Sequence, residues 1–399
     1  MRTQQLAGRP IATVGLGDVS LARSAKRGRE PSEVVRRVHD ALEASLDLID
    51  VAPEEDSERA VGDAVRALRQ RDHAIVATRV PELPKQELPP RYLVERVEAS
   101  LRATKLDVMP LVQLPLRASW LLLPQWPELV ATCARLVREG KVMHWGVRVS
   151  ETSADPVPVV PKRPAPVTLE DVSALLAKEA EQRPRSSLIL MPDEAIAADP
   201  ALAIAVELTR NAGAPPPRAD GELSHAAMLF LDEPWLATLA VDLSMCRRDA
   251  LALVAAAAGR KPVLALRPLE GGALAGTIGP GSSLAPHDDR RALTPEQLEA
   301  IAVGVAKLAS RVKREPLAAR ASAEARTITD SAQRPPNVMV ATLAELALRY
   351  VIDRGAIAIP RIHTRDALSE LVSCGNAEPL PAPLIAKIDE LLADPPTET

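Results

Sequence analysis

Aromatic side chains are scarce in this chain, which has one Phe, two Tyr and four Trp among 399 residues. Together with 37 prolines and heavy use of Ala and Arg, that scarcity is the mark of a GC-rich, bacterial-type coding sequence and carries no functional message. Cysteine is scarcer still. Cys133, Cys246 and Cys374 are isolated and odd in number, which excludes a disulfide framework and a cysteine zinc site and predicts small buried hydrophobes in a reducing compartment. No stretch of about 18 apolar residues occurs, and the opening MRTQQLAGRP has no basic start followed by an apolar run, so neither a membrane span nor an export leader is expected. The cytoplasm is the expected address. An excess of either charge is also lacking: 49 Lys and Arg face 53 Asp and Glu, a net charge of -4. That balance gives no field to collect nucleic acid or an anionic membrane.

What the chain does have is a 47% hydrophobic composition and a regular alternation of elements. Strand-like runs fall at 11–17, 46–51, 74–80, 108–114, 142–149, 236–243, 263–269 and 356–362. Between the early ones lie amphipathic periods at 32–46, 57–70, 91–105 and 126–140. Eight strand–helix units predict an α/β fold, a (β/α)8 TIM barrel whose functional residues follow the C-terminal ends of the strands. The barrel is expected to be divided. Residues 1–150 form its first part and 221–399 its second, with C-terminal helices. Residues 151–220 form an inserted, Pro-bounded α/β element after the fifth strand. A second polar segment at 313–337 predicts a long exposed connection. The glycines of VGLGD (14–18) and LEGGALAG (269–276) lack the spacing of a phosphate loop and are read as turn glycines. His144 and Trp145 lie early in the fifth strand, where packing is the expected role.

Four ordered strings carry a family resemblance: ALEASLDLIDVAPEEDSERAVGDAVR (41–66), VREGKVMHWGVRVS (137–150), LALRPLEGGALAG (264–276) and AIPRIHTRDALSEL (358–371). Together they resemble the aldo-keto reductase family, NADPH-dependent barrel enzymes. The resemblance implies a tyrosine acid whose pKa is lowered by a lysine paired with an aspartate, and a histidine that orients the carbonyl. Carried onto this sequence, the aspartate is Asp50, the tyrosine position falls on Glu55, the lysine on Arg79 and the histidine on Pro115. The carboxamide-binding Ser-Asn falls on Arg148 and Val149, a glutamine of the sixth strand on Leu239, and the ring that stacks on nicotinamide on Leu266. At the adenine end the resemblance retains Arg361 for the 2′-phosphate and Glu370, whose Asn neighbour is replaced by Leu371.

From the residues themselves, the strand ends carry Arg79, Arg148, Arg267 and Arg361, with Arg117 shortly after the fourth strand. Asp50, Glu54, Glu55, Asp56 and Asp242 oppose them. The mouth therefore reads as arginines facing carboxylates, either a mutually neutralising network or a site for an anionic small molecule. The functional expectation is an aldo-keto-reductase-like protein, redox-inactive, acting as a binding, scaffold or regulatory subunit with an anionic small molecule or a protein as partner. Two alternatives stay open. One is an NADPH-dependent oxidoreductase with Glu55 as an altered acid, and the other is a barrel hydrolase or lyase using Asp50 and Glu55. No metal is expected.

Overall fold

The computed structural model describes residues 1–17, 31–53, 57–68, 73–83, 88–117, 120–121, 124–149, 228–245, 248, 250–272, 274–275, 342–362 and 364–391. Glu54–Asp56, the 151–220 element and the 313–337 connection lie outside them, as does Cys246.

The chain opens on an antiparallel hairpin, β1 (Thr3–Leu6) and β2 (Arg9–Ala12). Its two-residue turn places Ala7 at φ 49° and Gly8 at φ 82°, the doubly left-handed form that matches strand twist. Seven parallel strands follow in chain order around one sheet: β3 (Leu48–Asp50), β4 (Ile75–Arg79), β5 (Met109–Leu116), β6 (Val142–Val149), β7 (Leu236–Asp242), β8 (Val263–Leu266) and β9 (Ile357–Ile359). The eighth stave is the chain at 13–17. Val14 and Gly17 bridge Ala358 and Arg361 on one side and Leu16 bridges Ile49 on the other, all in parallel, closing β9 onto β3. All eight predicted staves are present, and the fold is a (β/α)8 barrel.

Gly15 and Gly17 belong to that closing stave and not to a turn. A Cβ at Gly15 would lie 2.9 Å from the carbonyl oxygen of Leu48, and one at Gly17 would lie 2.7 Å from that of Ile359. Close approach of neighbouring backbones is the reason for glycine here, which corrects the turn reading of VGLGD.

Strand period sorts the core into two layers. One alternate set along the strands, with Ile49, Val76, Val112, Val147, Val241 and Ala358, points outward into the shell of helices. That shell includes α1 (Pro31–Glu43), α2 (Ser57–Ala67), α3 (Pro90–Thr104), α4 (Trp126–Arg138), α5 (Leu251–Ala257), α6 (Leu343–Asp353), α7 (Arg365–Asn376) and α8 (Ala382–Leu391). The other set, with Leu48, Ile75, Ala77, Leu111, Ala240, Leu264 and Ile357, fills the barrel. Leu6 and Ile11 of the hairpin join this inner cluster, so the hairpin is the barrel floor. Trp145 is buried in the outer layer and donates to the carbonyl of Cys133 at 3.1 Å. Cys133 and Cys374 are buried free thiols, and burial pushes the Cys374 thiol up to about 12. β6 pairs directly with β7, so the two staves that flank the long 150–227 stretch are neighbours in the wall.

Candidate active-site mouth

The inner face of each stave ends at the mouth, and most of those ends are charged. On β3 the period runs from Leu48 to Asp50, and on β4 from Ile75 through Ala77 to Arg79. On β5 it runs from Leu111 through Gln113 to Pro115, and on β6 from His144 through Gly146 to Arg148. β7 ends on Asp242, two residues beyond Ala240, and Arg361 stands two beyond Ile359 of β9. Register sets the levels: Arg79 lies beside Gln113, Pro115 beside Arg148, and Arg148 beside Ala240.

Asp50 is buried, and its Oδ1 accepts from Nε2 of Gln113 at 3.1 Å. Burial is the largest influence on its carboxyl and raises its pKa above the ordinary value. The positive charges of Arg79, Arg148 and Arg361, with the Gln113 bond, oppose that rise without cancelling it. The three arginines are themselves half-buried, more open to solvent than the carboxylate on which their charges act. The supports around the group are built from neighbouring residues. The Ser57 hydroxyl donates to the Ala52 carbonyl at 3.1 Å and accepts from its N–H at 2.9 Å, fixing where the β3 loop enters α2. Thr78, on the outer face of β4, donates to the buried Glu58 carboxylate at 2.6 Å, tying the Arg79 stave to α2. The buried Arg37 of α1 donates to the Ile362 carbonyl at 3.2 Å, holding the chain just beyond Arg361.

The remaining predicted residues are placed apart from Asp50. Arg267, with φ 56°, directs Nη1 to within 3.7 Å of Asp242 Oδ2. A left-handed backbone at a non-glycine residue just past a strand end is a strained conformation. The other carboxylate oxygen of Asp242, Oδ1, is buried without a hydrogen bond. Arg117 is buried and pairs with Glu82 at 3.2 Å. Glu370, on α7, accepts from the hydroxyl of Thr342, the N-cap of α6, and the neighbouring Leu371 is fully buried in the outer core. Leu239 and Val149 pack outward, while Leu266 faces the barrel interior. Glu55 lies outside the described residues. His144 shares the inner face of β6 with Arg148 but sits four residues back, about 13 Å from it along the strand, and burial lowers its pKa.

One member of the group was not read from the sequence: Gln113 stands on the same face as Pro115, two residues before it and short of the strand end. Arg361, expected both at a nucleotide's phosphate and among the arginines of the mouth, stands where its charge acts on Asp50. Among the described residues no group of three His, Cys, Asp or Glu side chains could hold a metal. No described helix is long and apolar enough to cross a membrane. A cleft of about 390 Å³ lies outside the wall between α1 and α7, lined by Asp40, Glu43, Arg365 and Ser369 among others.

The molecule is thus a closed parallel barrel with ionisable side chains gathered at the C-terminal ends of its strands, the end where barrel proteins of this class carry their sites. Within that class it is aldo-keto-reductase-like: residues 13–184 match the model of the Aldo/keto reductase family. Solved structures agree in fold over nearly the whole chain. A glycerol dehydrogenase from Gluconobacter oxydans is similar at 19% identity and a TM-score of 0.57, with 100% of this chain and 98% of that one covered. The holo form of an aldo-keto reductase from Bacillus halodurans is similar at 16% identity and a TM-score of 0.55, with 98% and 96% covered. An aldo/keto reductase from Klebsiella pneumoniae, solved with NADP and acetate, is similar at 19% identity and a TM-score of 0.52, with 100% and 97% covered. No curated protein matches the chain by sequence.

Proposed function

We propose that this aldo-keto-reductase-like barrel does not carry out NADPH-dependent carbonyl reduction and acts as a binding or regulatory subunit through its mouth. The observation that carries the reading is the company kept by Asp50, a buried carboxylate on which the charges of Arg79, Arg148 and Arg361 act from neighbouring strand ends. At position 79 the family resemblance calls for a lysine that exchanges protons with the catalytic acid. A guanidinium stays protonated and cannot take part in such a relay. At position 115 it calls for an imidazole, and Pro115 has neither a ring nitrogen to donate nor a backbone N–H. Loss of a positioned general acid alone costs about 10²- to 10⁴-fold in rate.

The residues at the expected cofactor positions fit NADPH poorly. Glu370 is taken up by the Thr342 hydroxyl, and Leu371 is sunk in the core. Leu239 and Val149 turn away from the barrel interior where a carboxamide would need partners. Reduced-cofactor fluorescence and NADPH oxidation with a panel of aldehydes and ketones test the reading. Neither binding nor turnover above background is expected. Turnover that disappears in Glu55→Gln would overturn it and establish an altered acid.

A further inference from the structure

We infer that the cleft on the outer wall between α1 and α7 binds a small zwitterion, an α-amino acid with an aliphatic side chain, its ammonium against Glu43 and its carboxylate against Arg365. The site is separate from the mouth and does not depend on how the mouth is read.

The cleft, of about 390 Å³, falls within the size range of small-molecule sites, roughly 300–1,000 Å³. Two helical stripes form its sides. α7 contributes Arg365, Leu368, Ser369 and Val372, which recur at three and four spacing, and α1 contributes Asp40 and Glu43, three apart. Both helices are pinned, so the gap between them is set by the fold. Arg37 of α1 donates to the Ile362 carbonyl at 3.2 Å, just ahead of α7, and the His39 ring stands 3.0 Å from the Ala64 carbonyl of α2. The Thr364 hydroxyl accepts from the Ala367 N–H at 3.1 Å and caps α7.

The cleft carries charges of both signs that are open to solvent and not used up. Arg365 meets Asp40 through Nε at 3.5 Å, and its side chain is 82% exposed, so the pair is a weak one that a ligand can displace. Among the described residues the two Nη groups of Arg365, the exposed Glu43 carboxylate and the Ser369 hydroxyl have no partner. A guanidinium fork matches the two oxygens of a carboxylate, and carboxylates one helical turn apart can share one ammonium. Together they select a molecule that carries both groups. Leu368 is buried and Val372 partly buried, giving the remainder of that molecule an apolar wall, which favours an aliphatic amino acid over glycine.

Thermal melts of the full chain with L-leucine at about 20 mM test the inference, against glycine, isocaproate and isoamylamine at equal concentration and ionic strength. Glycine lacks the aliphatic arm, isocaproate the ammonium and isoamylamine the carboxylate. Leucine is expected to raise the melting temperature by about 1–3 °C, and each of the other three by less than half as much. Glu43→Gln and Arg365→Met change exposed positions that the fold tolerates, and each is expected to remove most of the leucine rise. Arg260→Met, which breaks a pair with Asp232 elsewhere, is expected to retain it. A leucine rise no larger than that of glycine, a rise that isocaproate or isoamylamine reproduces, or one untouched by both cleft variants overturns the site.

Discussion

Gln113 Nε2 reaches across the barrel interior to Asp50 Oδ1 over 3.1 Å, joining β5 to β3 past the intervening stave β4. The bond holds the buried carboxylate through a neutral donor. The arginines act on Asp50 through charge. That division between a short neutral contact and a longer-range field leads to the predictions that follow.

Asp50→Asn keeps an acceptor for Gln113 and removes the buried charge. Burial raises the folded-state pKa of Asp50, so the native protein binds a proton more readily than the unfolded chain does. The sign follows from linkage: the contribution of this group falls as pH rises from the unfolded carboxylate range through the raised folded value. Asp50→Asn is therefore expected to be more stable than wild type at pH 7. The advantage should shrink as pH falls and vanish about one unit below the unfolded value of ~3.9, where the carboxyl is protonated in both states. Urea melts at both values check it, and a variant less stable than wild type at pH 7 would show that the arginine field outweighs burial.

Arg79→Met is expected to destabilise the protein with no ligand present, because it removes the first of the charges that ease the ionisation of Asp50. Arg79 is half-buried, so the loss should be below the 3–5 kcal/mol typical of a fully buried pair, at about 1–3 kcal/mol. In the double variant with Asp50→Asn most of that loss should vanish. A single mutant that melts above wild type in phosphate-free buffer would mean that repulsion among the arginines dominates.

Lys261 offers a test outside the mouth. Its ammonium donates to the carbonyls of Leu236, at 2.8 Å, and Glu233, at the N-terminal entry to β7, and burial lowers its pKa to about 8. Between about 8 and the usual lysine value near 10.4, the unfolded chain holds a proton that the folded chain has released. Stability from this group therefore rises with pH across that interval. Relative to Lys261→Met, the wild-type melting temperature is expected to climb from pH 8 to pH 10. A constant difference would place the lysine's titration outside this range.

The eight staves were legible from the sequence alone, because a run of alternating or continuous β-branched residues between amphipathic helices encodes its own period. The inward set at each strand end follows from that period too, which is why Asp50, Arg79 and Arg148 stand on one inner face as read. The hairpin at 3–12 was not legible: TQQL and RPIA are too short and polar to announce a strand, and only docking under the barrel buries Leu6 and Ile11.

Which charges meet across the barrel depends on the stagger between staves, a property of closure that no local window contains. Stagger sets Arg361 on Asp50 and leaves Arg267 to Asp242. The same holds for Gly62, unremarkable in sequence, where a Cβ would lie 2.0 Å from the Thr104 carbonyl of α3. Sequence by itself determined the order of elements and the face of each side chain, since both follow from periods a few residues long. Tertiary closure decided the partners, since distances across a barrel are set by all eight strands together.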